Sequence, residues 1–531
     1  METLLVANRG EIALRVFRAA RSLGIATVAV AAPDDTGSLH ARSADATVAI
    51  ASYLDPVEHI RAAREAGADA IHPGYGFLAE NAEFAETVEA AGLTWVGPPP
   101  DALRKGGDKL EAKRIAREAG VPTVPETDEP PLLVKAAAGG GGRGMRVVRA
   151  REELEDAVEA ARREARAAFG DDRVYFERYL ERPRHVEIQL LADAHGTVLA
   201  LGERDCSVQR RHQKVLEESP SPALDATLRA QMSEAAVRFA RAIGYQNAGT
   251  AEFVLEGREF FFLELNGRIQ VEHPVTEAVT GVDLVQWQLR IARGEPLELR
   301  DNLSQGHAVE VRLYAEDPRT FLPQAGRIET LRLPRGIRVD AGVEACDEVG
   351  TSYDPMIAKL IAHADTRAEA LARLRDALAE TEVGGVTTNL PFLRWLVAHP
   401  VVRAGEATTA FLVEHPPLSI PPPEPPPAWR GAWRLNLPAA PPAPPPDVDA
   451  AAHRHTPGAE SSTVTAPMPG TVIKVLVHEG VTVAARQPLV VLEAMKMETP
   501  LTSPYDATVR AVHVKEGDRV AGGAVLVELE E

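Results

Sequence analysis

The sequence predicts a multidomain chain that opens with an α/β nucleotide-type domain and closes with a small all-β domain, the two parted by a proline-rich spacer. Three observations lead there. Strand and helix patterns alternate over about the first hundred residues, 14 of the 41 prolines fall between positions 416 and 446, and residues 467 to 493 recur as 504 to 530. At 531 residues and 45% apolar, the chain also exceeds what one core absorbs.

Residues 3 to 8 form an apolar run, Ile12, Val16, Ala19 and Leu23 keep helical spacing, and 25 to 31 reads as a second strand. Ala70-Ile71 and Thr94-Trp95-Val96 continue the alternation, so an open, mostly parallel sheet is expected. Residues 132 to 138 are an apolar strand carrying Lys135, followed by the glycine-rich run 139 to 144. Closely spaced N–H groups without Cβ atoms suit polyphosphate, although such a run can equally be a flexible loop; no Gly-Lys-Ser/Thr follows, so it is not a Walker A loop. In GTAEFVLEGREFFFLELNGRIQVEHP, residues 249 to 274, alternation puts Glu252 on one strand and Glu264 and Asn266 on one face of the next. Two carboxylates and an amide suit Mg²⁺ (or Mn²⁺) bridging nucleotide phosphates. Arg268, Gln270 and Glu272 follow at every second residue, so a continued strand would aim all three one way, to hold a small planar oxyanion and remove its proton.

Proline cannot donate to helix or sheet ladders, so the spacer should be extended and semi-rigid. WRGAWRLNL, 429 to 437, interrupts it; Trp429 and Trp433 either dock on a neighbour or stand exposed. Beyond it, the two halves agree at thirteen positions at an offset of 37, among them Thr471/Thr508, Val475/Val512, Gly480/Gly517, Val483/Val520 and Leu492/Leu529. Neither half alone could bury its apolar face, so the pair should form one domain with pseudo-twofold symmetry. The joining segment AMKME, with Lys496 at its centre, then falls at a hairpin tip.

A net charge of −19 argues against nucleic acid and anionic membrane as partners. Two cysteines, Cys206 and Cys346, suit free thiols in a reducing compartment, and METLLVANRG lacks a basic n-region, so a cytoplasmic protein is expected. No run reaches the length of a membrane span. Only nine of the 58 basic residues are lysine; base composition explains the skew, yet a retained lysine can mark a site needing a compact ammonium or an acylatable amine.

These segments resemble a known family. ANRGEIALR (7 to 15), HPGYGFLAEN (72 to 81), GDK (107 to 109), KAAAGGGGRGM (135 to 145), ERYLERPRHVEIQ (177 to 189), ERDCSVQRRHQKV (203 to 215), the stretch from 249, VRLYAEDP (311 to 318) and YDPMIAKLI (353 to 361) are similar to biotin-dependent acyl-CoA carboxylase alpha subunits. EAMKME resembles the biotin-attachment motif of carrier domains; the Asp-Lys-Ala of lipoyl domains is absent. The resemblance implies a Rossmann-like N-terminal domain (1–107), an α+β ATP-grasp domain (108–310), a biotin carboxylase C-terminal domain (311–414), a linker (415–462) and an all-β biotinyl barrel-sandwich (463–531). It implies biotin on Lys496, with Lys109, Lys135, Gly140, Gly141, Glu177, His185, Gln209 and His212 on ATP, and Glu252, Glu264 and Asn266 on Mg²⁺. Lys214, Arg268, Gln270 and Val271 would hold bicarbonate, with Glu272 as its base, and Arg312 would stabilise the biotin enolate. Implied partners are a separate carboxyltransferase (beta) subunit in a joint oligomer, and biotin protein ligase. Carboxyphosphate would release CO₂ beside biotin, inside a lid that excludes water.

Three departures accompany the resemblance. The chain is short between Val121 and Lys135, lacking a helix at the lid entrance; position 267 is Gly where Thr is usual; and the spacer stands where a partner-binding domain is expected. The alternatives are the biotin-bearing subunit of a two-subunit pyruvate carboxylase, or a carrier and scaffold with a degraded ATP site.

Overall fold

In the computed structural model the described residues are 1–137, 145–210, 213–299, 304–419, 463–467, 470–494, 497–520 and 523–530. Gly140, Gly141, His212 and Lys496, and with them the spacer and Trp429 and Trp433, lie outside them.

The N-terminal α/β pattern forms as expected. Strands Ala46–Ala49, Ala26–Ala31, Thr3–Val6, Ala70–His72 and Thr94–Trp95 lie in that order in a parallel five-stranded sheet. The helix Gly10–Ser22 buries Ile12, Val16, Ala19 and Ala20 against it, a stripe at the helical period. In the following loop Gly74 has a φ of +64°, and a Cβ there would come within 2.7 Å of Asn8 Nδ2. Only glycine leaves Asn8 free to donate to the carbonyls of Pro73 and Tyr75.

Beyond it lies an antiparallel sheet of eight strands, in the order Glu259–Asn266, Asn247–Glu256, Arg184–Ala192, Val198–Arg210, Gln213–Ser219, His307–Tyr314, Met356–Ala364, Arg338–Ala341. Helix Ala226–Ile243 covers one end through Met232, Ala236 and Phe239. Helices Arg367–Glu380 and Leu390–Ala398 cover the other through Leu374, Leu378 and Phe392. The sheet runs unbroken from Gln213–Ser219 into His307–Tyr314, so the segments on either side of residue 310 share one hydrogen-bonded ladder.

A separate three-stranded sheet, Arg146–Val148, Leu132–Ala136 and Val174–Arg178, packs on helix Leu154–Phe169 over a small core of Leu132, Val134, Val148 and Ala161. No helix lies between Glu118 and Leu132, where the sequence is short.

The C-terminal repeat folds as two interlocked four-stranded sheets. Strand Thr482–Val483 of the first half pairs with Ala507–Val512 of the second, and Arg519–Val520 of the second pairs with Gly470–Val475 of the first. The symmetry reaches single bonds. Gly480 donates to the Val509 carbonyl at 2.8 Å, and Gly517 donates to the Val472 carbonyl at 2.7 Å. Strands Pro488–Ala494 and Met497–Thr502 form a hairpin with Ala494 opposite Met497, and Lys496 falls between them in sequence.

Candidate active site

Seven candidate residues, His185, Gln209, Lys214, Glu252, Glu264, Asn266 and Arg312, lie on strands of the eight-stranded sheet. Arg184–Ala192 contributes His185 and, two residues on, Glu187; its neighbour Asn247–Glu256 places Glu252 directly opposite Glu187. On the other side, Glu264 opposes Glu252. The expected placement of Glu252, Glu264 and Asn266 on adjacent strands is what forms.

The strand does not continue through Arg268, Gln270 and Glu272. It ends at Asn266, and Glu272 occupies the cap position of helix His273–Thr280. Pro274 is the physical reason: it cannot donate to a sheet ladder but fits the first helical turn. Arg268 and Gln270 still meet, the guanidinium donating to Gln270 Oε1 at 3.4 Å. Gln270 donates to Glu252 at 3.0 Å, while Arg268 donates to Glu80 at 2.9 Å and to Asn266 Oδ1 at 3.0 Å. Glu272 instead faces two cations. Lys214 Nζ lies 2.6 Å from one of its oxygens and Arg312 lies 2.9 Å from the other.

Lys214 is the hub. It also donates to Glu187 at 2.5 Å and Glu252 at 2.8 Å. Burial opposes its charge, but three carboxylates outweigh burial and push its pKa well above the ordinary lysine range. Burial would likewise raise the Glu272 carboxyl, yet Lys214 and Arg312 prevail and hold it far below the usual carboxylate range. His185 pairs with Glu252 at 3.0 Å, and that partner overrides burial to raise the imidazole pKa. Gln209 lies 3.3 Å from the other ring nitrogen of His185. Burial lifts the Cys206 thiol well above its normal range, so it stands there as a neutral group.

The nucleotide side is built from shorter elements. Asp108 caps helix Lys109–Glu118, accepting from two backbone N–H groups at 3.0 Å, and Lys109 lies 3.4 Å from Glu264. Lys135 lies across the lid sheet from Tyr175, and reaches Glu177 at 3.2 Å. Burial, with Lys109 nearby, brings its pKa down to about 8. The Val271 carbonyl accepts from Lys359 at 2.9 Å. Two carboxylates and an amide oxygen make an all-oxygen set suited to a hard divalent cation, and the two flanking lysines suit its phosphates.

Several participants carried no assignment from sequence. Glu187 sits two residues after His185 in RHVEIQ, a signal that period-two alternation offered. Glu80, at the end of GYGFLAEN, accepts from the Gly267 N–H at 3.0 Å as well as from Arg268. Lys113, four residues after Lys109, forms a buried ion pair with Glu177. Buried Arg204 ties Glu187 to Gln189 and Thr250, and Glu217 pairs with Arg312. Gly267 has its own reason: a Cβ there would stand 2.7 Å from Leu103 Cδ2. Leu103 fills the space that a threonine side chain would claim.

Comparisons with known proteins cover four segments of the chain. Residues 1–103 match the family model "Biotin carboxylase, N-terminal domain", 111–300 "Carbamoyl-phosphate synthase L chain, ATP binding domain", 310–414 "Biotin carboxylase C-terminal domain" and 462–529 "Biotin-requiring enzyme". The biotin-dependent acyl-coenzyme A carboxylase alpha3 subunit of Mycobacterium leprae is 43% identical over 587 residues, covering 99% of this chain and 98% of that protein. The chain belongs to the biotin-dependent carboxylases. As a biotin carboxylase with a carrier module, it is also 47% identical over 445 residues to the mitochondrial methylcrotonoyl-CoA carboxylase subunit alpha of Arabidopsis thaliana. That match covers 78% of the chain and 61% of the longer plant protein. Among solved structures, the biotin carboxylase domain dimer of Hydrogenobacter thermophilus 2-oxoglutarate carboxylase, in complex with MgADP, ADP and bicarbonate, superposes with a TM-score of 0.76 at 44% identity. It covers 78% of this chain and 98% of its own. Among the described residues of this biotin carboxylase, no helix is long and apolar enough to cross a membrane.

Proposed function

We propose that this chain carboxylates the biotin borne on its own Lys496, using bicarbonate and ATP, for a separate carboxyltransferase subunit that acts on an acyl-CoA. The observation that carries the reading is Glu272 held between Lys214 and Arg312 at the end of the carboxylate-bearing strands. Anionic bicarbonate must meet an anionic phosphate, so cations have to offset the repulsion at fixed positions. Lys214, Arg268, Gln270 and the backbone of Val271 would hold and orient the bicarbonate. Ionised Glu272 is the proton acceptor. Bicarbonate arriving beside Lys214 draws part of that ammonium's attraction away from Glu272, which raises the carboxylate's basicity as the proton has to move.

Glu252, Glu264 and Asn266 would hold Mg²⁺, which neutralises phosphate charge when bound. Lys109, Lys135, Glu177, His185, Gln209 and His212, with Gly140 and Gly141 of the glycine run, are the residues we assign to ATP. Biotin would supply the ureido nitrogen that accepts the carboxyl group, and Arg312 would stabilise the negative charge that develops on its oxygen. We assign residues 1–107, 108–310 and 311–414 to the carboxylase, 415–462 to the linker and 463–531 to the carrier. Biotin protein ligase would load Lys496, and the carboxyltransferase would join the chain in one oligomer. The test is ADP release by the full chain with and without bicarbonate. Absence of ADP release in the presence of bicarbonate would leave a carrier with an idle ATP site, and release that ignores bicarbonate would show no carboxylase chemistry; either way the reading would fall.

A further inference from the structure

Behind Arg312 lies a pair of carboxyls that the reaction outlined above does not use. Strands Gln213–Ser219 and His307–Tyr314 run antiparallel with Glu217 directly opposite Glu310. Both are 0% exposed. Residues facing each other across two antiparallel strands carry their side chains on the same side, so two acids are apposed in the middle of an eight-stranded sheet.

Among the described residues, one cation forms an ion pair with these two carboxyls. Glu217 Oε1 lies 2.5 Å from Arg312, whose guanidinium is shared with Glu272 at 2.9 Å. Among the described residues, neither oxygen of Glu310 has a hydrogen-bond donor. Lys359, opposite Arg312 on the next strand, spends its ammonium on Glu11 at 3.1 Å and the Val271 carbonyl at 2.9 Å. Lys214 serves Glu187, Glu252 and Glu272. A buried carboxylate without a cation or donor neutralises itself by keeping its proton.

We propose that Glu310 is a protonated acid in the working enzyme, paired with an ionised Glu217, and that the two are positioning residues for Arg312. The pair then holds one proton and one negative charge, no bond is made or broken, and Arg312 stays cationic. Were both acids ionised, Arg312 would be drawn into the sheet, away from Glu272 and from the oxygen it serves. Burial, followed by the Glu217 charge, pushes the Glu310 carboxyl well above its ordinary range, although Lys359 opposes. Burial likewise brings Glu217 to about 7 despite Arg312. The two acids therefore titrate as one unit.

The proposal rests on the reading that Arg312 faces biotin, and its experiment separates the two. Infrared difference spectroscopy of the full chain, wild type minus Glu310→Gln, should show the C=O band of a protonated carboxylic acid at neutral pH. Absence of that band overturns the proposal whatever Arg312 does. If Glu310→Gln does not fold, the same band followed on unmutated protein decides, since it should persist above pH 7, where ordinary glutamates are fully ionised. With free biotin as substrate, Glu217→Gln should lower kcat on the order of 10²-fold, as for loss of one oxyanion donor, with the KM for ATP moving less than about threefold. Equal damage to kcat and to ATP binding would mark Glu217 as merely structural. Arg312→Met with kcat intact would instead sink the reading of Arg312 and leave the band to stand.

Discussion

Glu272 owes its charge to Lys214 and Arg312, and that debt makes its role testable at the scale of one residue. Its carboxylate is ionised far below neutral pH, so it is ready to take a proton throughout the physiological range. Glu272→Gln keeps the shape but replaces one of the two oxygens that accept from Lys214 and Arg312 with an NH₂ group, and has no basic oxygen pair. We expect nucleotide binding to survive and bicarbonate-dependent ADP release to fall by ~10² to 10⁴-fold. Turnover near the wild-type level would exclude the residue as base. The same residue shows where sequence reading stops. Glu264 and Asn266 were legible because they alternate with Leu265 directly after the apolar run 260 to 263, and Glu252 because it breaks an apolar strand pattern just before them. Glu272 was legible as a participant but not in its setting: the every-second-residue pattern runs past Asn266 into a loop, and Pro274 opens a helix there. Glu217 and Glu310 were illegible, because acids within a strand read as a solvated edge until the neighbouring strands are known to cover them.

At the scale of elements, the hairpin of Pro488–Ala494 and Met497–Thr502 gives Lys496 its context. The 37-residue repeat made that placement readable, since the joint between two symmetric halves is a unique position in the module. Intact mass and streptavidin binding of Lys496→Arg against wild type provide the check. Wild type should gain one biotin and the variant none; equal streptavidin binding would refute the assignment. The spacer is the second element with a prediction. Buried tryptophans at interfaces often contribute ~2 kcal/mol or more, so Trp429→Ala/Trp433→Ala should weaken co-purification with the carboxyltransferase while free biotin is still carboxylated. Unchanged co-purification would reduce the segment to a passive tether. Four of the five N-terminal strands were readable to within two residues because each is a short apolar run, while Ala46–Ala49 carried no such signal. The three-stranded lid was not: only its first strand, with Lys135, carries a strong apolar signal.

Across the whole molecule, buried histidines tie stability to pH. His40 and His72 are 0% exposed, and burial lowers each to about 4. An unfolded histidine takes up its proton near 6.5, so between pH 6.5 and 4 the unfolded chain binds more protons than the folded one. Stability is present above that window and is lost as pH falls through it, at up to about 1.4 kcal/mol per unit for each histidine. His59 and His273 shift the same way under burial; His185, raised by Glu252 against burial, and the raised carboxyls of Glu217 and Glu310 oppose them but are outnumbered. Urea unfolding midpoints at pH 7.5 and 5.0 should therefore differ, the lower pH being less stable. Equal midpoints would contradict the balance.

The continuous ladder through Gln213–Ser219 and His307–Tyr314 has a practical bearing on how this enzyme can be dissected. A boundary at residue 310 suits a diagram but not a pair of scissors. A fragment ending there would strip Gln213–Ser219 of its neighbour and bare a run of unanswered backbone N–H and C=O groups flanked by Val215 and Leu216. Such an edge is a template for another chain, so the fragment should stick to its own copies. The cut that leaves no open edge falls after the helices that follow Met356–Ala364, beyond residue 414, where the spacer begins.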